Sequence, residues 1–188
     1  MANLIIKPAS GGLLKLQEDG GTDAISIGTD GKSTITHAAI TAWTPPAGTV
    51  LQVVQGLHHA ETNTTSTSFV ATGIDVSITP SATSSKVLIF ATTSAYLNVA
   101  GYVAYYTIYR GSTNLSEDTA GFQNVHQTSA GGSSDDLISP VSMVFLDSPS
   151  TTSATTYQIY TRVSNASLTN NWSMNGATST IVCQEIKG

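Results

Sequence analysis

The sequence predicts an all-β protein built as a sandwich of two sheets, and three observations carry that reading. Runs rich in Val, Ile, Thr, Tyr and Phe recur at short intervals, and Gly, Pro, Asn, Asp and Ser separate them in the manner of strands and turns. Nowhere does a helical period of apolar residues persist long enough to make a convincing helix. Charged residues are only 10% of the 188, far from the Glu-, Lys- and Arg-rich composition of exposed helices.

Taken in order, the chain opens with residues 1–44, a series of apolar pulses at Leu13–Leu16, Ala24–Ile27 and Ser33–Thr36. Asp19-Gly20-Gly21 and Thr29-Asp30-Gly31 between them are turn signals. Each pulse holds too few apolar side chains to offset the entropy of ordering it alone. The segment is therefore expected to be a short-stranded β-arm, held by a partner surface or by intertwined sister chains. Pro45-Pro46-Ala47-Gly48 then marks a boundary, since the proline pair stops a strand and stiffens the link. Residues 45–188 contain the sandwich. Its predicted strands are Val50–Leu57, Val70–Thr79, two long ones within Lys86–Arg110, Val141–Leu146, Tyr157–Val163 and Thr180–Ile186. About seven strands with polar connections suit a jelly roll ahead of an immunoglobulin-like order.

The stretch Lys86–Arg110 organises the rest. It is expected to form a β-hairpin turning at Asn98–Gly101. On its second strand Tyr102, Ala104, Tyr106 and Ile108 share one face, and Val103, Tyr105, Thr107 and Tyr109 share the other. Neither face is polar, so both should be covered. One can meet the opposite sheet, and a second copy of the chain is the simplest cover for the other.

Composition excludes several function classes. A net charge of −5 and only seven Lys and Arg leave no basic stripe, so nucleic acid is not expected as a partner. No stretch reaches the roughly 18 apolar residues of a membrane span, and the start has too short an apolar core for a signal peptide. Synthesis in a host cytoplasm with release by lysis would need neither. No enzyme activity and no cofactor are expected. Gly28–Ser33 resembles the end of a phosphate-binding loop, but it has Ser26 where a Gly is needed and a β-prone segment where a helix should follow. His58 and His59 alternate faces on a strand and rarely chelate one ion together. Cys183, the sole cysteine, reads as a core or interface residue, and Asp135-Asp136 as a solvated loop. The loop Asn170–Gly176 offers a possible ligand site in Asn171, Trp172 and Asn175, an aromatic among amides suited to stacking on a sugar. The alternative is a Trp folded back over the sheet edge.

A resemblance adds to this. Val50-Leu51-Gln52-Val53-Val54, Phe69 with Gly73–Pro80, and Ser84–Ile89 resemble the virion proteins of tailed bacteriophages that carry a TNF/C1q-like jelly roll. Tyr106–Gly111, Thr156-Tyr157 and the ending Ile181–Gly188 extend the likeness. Leu14-Lys15-Leu16-Gln17 and Ile27–Gly31 are similar to the N-terminal attachment regions of such proteins. The resemblance implies a homotrimer with the N-terminal arm towards the particle, and the two-faced aromatic strands put Tyr102, Tyr105, Tyr106, Tyr109 and Phe90 at the expected interface between copies on the virion exterior. Leu4, Ile5, Ile6, Leu13, Leu14 and Leu16 would anchor it to a major capsid protein or another virion protein. Two functions follow as expectations: a trimeric capsid decoration (cement) protein, or a short tail fibre or spike contacting host surface glycans.

Overall fold

The computed structural model describes residues 14–17, 23–27, 33–34, 45–128 and 136–188, in two compact units, Met1–Thr44 and Pro45–Gly188. In the first, β1 (Leu14–Gln17), β2 (Asp23–Ile27) and β3 (Ser33–Thr34) form an antiparallel sheet in chain order, Leu14 opposite Ile27 and Ser26 opposite Thr34. Leu14 and Leu16 thus lie on β1, whereas Leu4, Ile5, Ile6 and Leu13 fall outside the described residues, as does most of Gly28–Ser33.

The second unit contains β4 (Val50–His58), β5 (Thr62–Thr64), β6 (Val70–Ile78), β7 (Lys86–Leu97), β8 (Val103–Arg110), β9 (Thr113–Asn114), β10 (Gln123–His126), β11 (Leu137–Asp147), β12 (Thr155–Val163), β13 (Asn170–Trp172) and β14 (Ser179–Ile186). One antiparallel sheet, the β7 sheet, has β11 along one edge of β7. Along the other edge lie β14, which leads on to β4, and then β13, which leads on to β5. The β8 sheet runs β10-β8-β12-β6, with β9 also beside β8. From β6 to β8 and from β10 to β14 the long strands alternate between the sheets, which gives the jelly-roll sandwich.

That alternation corrects the hairpin expectation. β7 and β8 are long strands with a short connection, but they belong to different sheets, so residues 98–102 cross between layers. Packing explains it. Val87, Ile89, Ala91, Ala95 and Leu97 on β7 and Ala104, Tyr106 and Ile108 on β8 are all buried. Stacked face to face, the two rows cover one another, whereas a flat hairpin would leave both needing a third layer. Gly101 makes the crossover possible with φ of 83°, and its N–H donates to the Gln127 carbonyl at 2.7 Å.

Ile74, Val76 and Ile78 from β6, Tyr157, Ile159 and Val163 from β12, Val141 and Met143 from β11, and Ile181 and Cys183 from β14 complete one core. Polar groups pin the layers together. The Tyr106 hydroxyl donates to Asn170 Oδ1 at 2.8 Å, and Asn170 Nδ2 donates to Thr161 Oγ1 at 2.9 Å. Elsewhere buried Asp147 accepts from Arg110 Nη1 at 2.8 Å and from the Tyr157 hydroxyl at 2.6 Å. Burial first, then the Asp147 carboxylate, drives the Tyr157 phenol well above its ordinary range. Glu185, wholly buried on β14, takes Gln52 Nε2 at 2.6 Å and both the N–H and the hydroxyl of Ser81, at 2.7 and 2.6 Å. Burial alone would raise this carboxyl. The hydrogen bonds prevail and bring it down to about 2.

Candidate functional site

Trp172 is not a stacking platform. It is 1% exposed in the core, and its indole N–H donates to the Thr72 carbonyl at 2.9 Å, from one sheet to the other. The alternation of β13 turns Asn170 and Trp172 inward, so the side chain folds back as the second sequence reading describes. Asn171 instead meets Glu61, its Nδ2 donating to Oε1 at 3.0 Å, and the Asn175 N–H donates to Oε2 at 3.1 Å. Glu61 ties the loop down, and the three residues do not converge on a ligand.

The residues considered for chemistry are likewise apart. Cys183 is buried, and burial, aided by Asp147, pushes its thiol up to about 12, so it stays protonated. His59 shares a hydrogen bond with Thr178 at 3.1 Å, while His58 lies against Gly73. No group of three metal-binding side chains forms among the described residues. No described helix is long and apolar enough to cross a membrane.

The five residues expected at a trimer interface separate. Tyr106 is wholly enclosed by its own chain, and Tyr102 packs against the core. Tyr105 lies under Arg162, whose guanidinium carbon is 4.0 Å from the ring centroid. Tyr109 stacks on Tyr160 with centroids 3.9 Å apart. On the outer face of β8, Tyr105 and Tyr109 are thus half-buried by side chains of their own chain.

Phe90 is different, because it sits on the outer face of the β7 sheet. Register places Val144, Phe90, Val182 and Gln55 in one row, and Leu146, Leu88, Gln184 and Val53 in the next. Leu57 lies in the row on the other side of Phe90, beside Thr180 and Thr92. Val53, Leu57, Phe90, Val144 and Leu146 are 39–58% exposed. A strand with apolar residues on both sides gives no clean alternation, which is why β7 and β11 read as two-faced.

On the opposite side of the sandwich, segment 111–122 folds over the β8 sheet. Thr107 Oγ1 donates to Asn114 Oδ1 at 2.6 Å, the Leu115 N–H to the Ile108 carbonyl at 3.0 Å, and the Phe122 N–H to the Tyr106 carbonyl at 2.9 Å. Gly121 makes this approach possible. Its φ is 72°, and a Cβ there would come within 2.3 Å of the Tyr106 carbonyl oxygen. Arg162 donates through Nε to the Thr119 carbonyl at 3.0 Å and through Nη2 at 2.5 Å. Between this segment and Thr67–Phe69 opens a pocket of about 700 Å³, lined by Phe69, Tyr109, Asn114, Glu117, Asp118 and Arg162 among others. The Ala120 N–H, then the Thr119 hydroxyl, hold the Asp118 carboxyl below its usual range through bonds to Oδ1. Sequence alone does not bring these walls together, because they come from three distant segments.

No protein-family model matches the sequence, and no curated protein matches it. Among solved structures the chain is similar to one in the T13 viral particle of infectious bursal disease virus (IBDV), at 13% identity and a TM-score of 0.34, over 72% of this chain and 37% of that one. Structures of the Gx and Gt strains of the virus give 14% and 15% identity with TM-scores of 0.33 and 0.31. Each of those matches covers 73% of this chain, and 37% and 38% of theirs. The likeness therefore spans well under half the length of those viral chains.

Proposed function

We propose that the chain is a non-enzymatic structural protein of a virion, a capsid decoration protein that works as a homotrimer and attaches through residues 1–44. The likeness of its strand phrases to bacteriophage virion proteins supports the setting. One observation carries the assembly: the uncharged apolar rows on the outer face of the β7 sheet, centred on Phe90 and Val144. Exposed apolar patches of this kind mark interaction surfaces. Val53, Leu57, Val182, Thr180, Gln184, Thr92 and Ser142 around the centre carry no charge, so a second copy meets no like-charge repulsion.

Magnitude decides what kind of trimer this is. Covering a half-exposed Val, Leu or Phe contributes roughly 1 kcal/mol, hence about 5 kcal/mol per subunit. Association itself costs about 4–15 kcal/mol. With its core closed inside one chain, the sandwich fits an assembly that forms with concentration rather than one without which nothing folds.

Electron cryo-microscopy of intact particles tests the reading. Decoration predicts density in clusters of three on the capsid exterior, lost when residues 1–44 are removed. A chain absent from purified particles, or a truncated chain that still attaches, contradicts it. The second reading is a short tail fibre or spike that contacts host glycans. The pocket on the β8 sheet favours it, and density at the tail would select it.

A further inference from the structure

We infer that the pocket between residues 67–69 and segment 111–122 is a binding site for a neutral sugar ring of a polysaccharide. This deepens the second reading, and it locates the site away from the Trp172 loop.

The chemistry of the walls selects the class. A volume of about 700 Å³ lies within the roughly 300–1,000 Å³ usual for ligand sites. Phe69 and Tyr109 meet edge to face at 6.2 Å, and Tyr160 backs Tyr109. This apolar wall suits the C–H face of a pyranose. Opposite stand Glu117 and Asp118, two carboxylates that only accept hydrogen bonds. Asp118 Oδ1 is taken by Ala120 and Thr119, and Oδ2 takes neither of those bonds. Hydroxyl donors, such as those of a polyol, suit these two carboxylates.

Charge narrows the class further. Two carboxylates and one guanidinium leave the pocket one net negative charge. Arg162 is committed to the Thr119 carbonyl and to the faces of Tyr105 and Phe69, the latter at 5.4 Å. The two carboxylates outnumber it, which disfavours uronates and phosphates. A cationic ligand would in turn lie beside that guanidinium. A neutral sugar meets neither objection. Glu117 holds φ at 56°, a conformation that non-glycine residues seldom keep without a local reason.

Saturation-transfer NMR on the full chain tests this with maltose, lactose and chitobiose as neutral probes, and with glucuronate and choline as charged ones. At least one neutral probe should bind saturably in the millimolar range. Tyr109→Ala and Glu117→Gln should each weaken it about ten-fold or more, with the near-UV signal of buried Trp172 unchanged. No binding by any neutral probe, tighter binding of glucuronate or choline, or affinity untouched by both variants would overturn the inference. Because the pocket lies on the opposite side of the sandwich from Phe90, its loss leaves the trimer reading standing.

Discussion

The two outer faces of the sandwich solve the same problem in opposite ways. The β8 sheet carries Tyr105, Tyr109 and Tyr160 outward and covers them itself, with Arg162 over one ring, one tyrosine stacked on another and segment 111–122 bound across Thr107. The β7 sheet carries Phe90, Val144 and Leu146 outward and covers them with nothing from its own described residues. Aromatic content is therefore a poor guide to an interface. What matters is whether the chain itself supplies a cover: among the described residues the side rich in tyrosine is largely covered apart from its pocket, and the plainer aliphatic side is bare.

Substitutions can break or sharpen this contrast. The largest effect belongs to the interior that both faces share. Trp172→Ala should cost about 3–5 kcal/mol in urea unfolding, since it removes a fully buried ring and the bond to Thr72. If the chain serves on a virion as proposed, particle adsorption should change only in proportion to the folded protein remaining.

Next comes Glu185, behind the bare face. Its folded pKa of about 2 lies below the roughly 4.3 of an unfolded glutamate, so its contribution is fully present above about pH 4.3 and fades as pH falls towards 2. Glu185→Gln should cost about 1–3 kcal/mol at neutral pH and flatten the acid limb of a thermal-melt profile. A variant with the same acid limb as the wild type would assign that limb to other groups.

Smaller still is Gly121→Ala, expected to cost about 2 kcal/mol. It should push segment 111–122 away from Tyr106 and open the covered face, seen as faster amide exchange at Leu115 and Phe122. Arg162→Ala should cost only about 1 kcal/mol, through the loss of its place over Tyr105, and leave the oligomeric state unchanged.

Much of the fold was legible in the sequence and much of the site was not, for separable reasons. Turn residues bracket the strands, so Val70–Ile78, Tyr157–Val163 and the closing strand could be read directly. The partner of β7 could not, because a short connection at Asn98–Gly101 suits either a hairpin or a crossover. Burying Val87, Ile89 and Leu97 against Tyr106 and Ile108 decides for the crossover, and that is a tertiary matter. The apolar residues on both sides of β7 were legible, but not that Phe90 alone of the five residues expected at the interface is on the outer face of this sheet. Tyr105 and Tyr109 were assigned to a neighbour because nothing local announces that Arg162 and Tyr160 lie beside them. Glu117 and Asp118 look like a solvated turn until Thr67–Phe69 is placed opposite.

The central claim is that the aliphatic face of the β7 sheet is where copies meet. Sedimentation velocity on the full chain, wild type beside Phe90→Asp/Val144→Asp, tests it most directly. The wild type should shift from monomer to trimer as concentration rises, while the variant stays monomeric with an unchanged unfolding midpoint. A wild type that remains monomeric at every concentration, or a double variant that still forms trimers, would contradict the account.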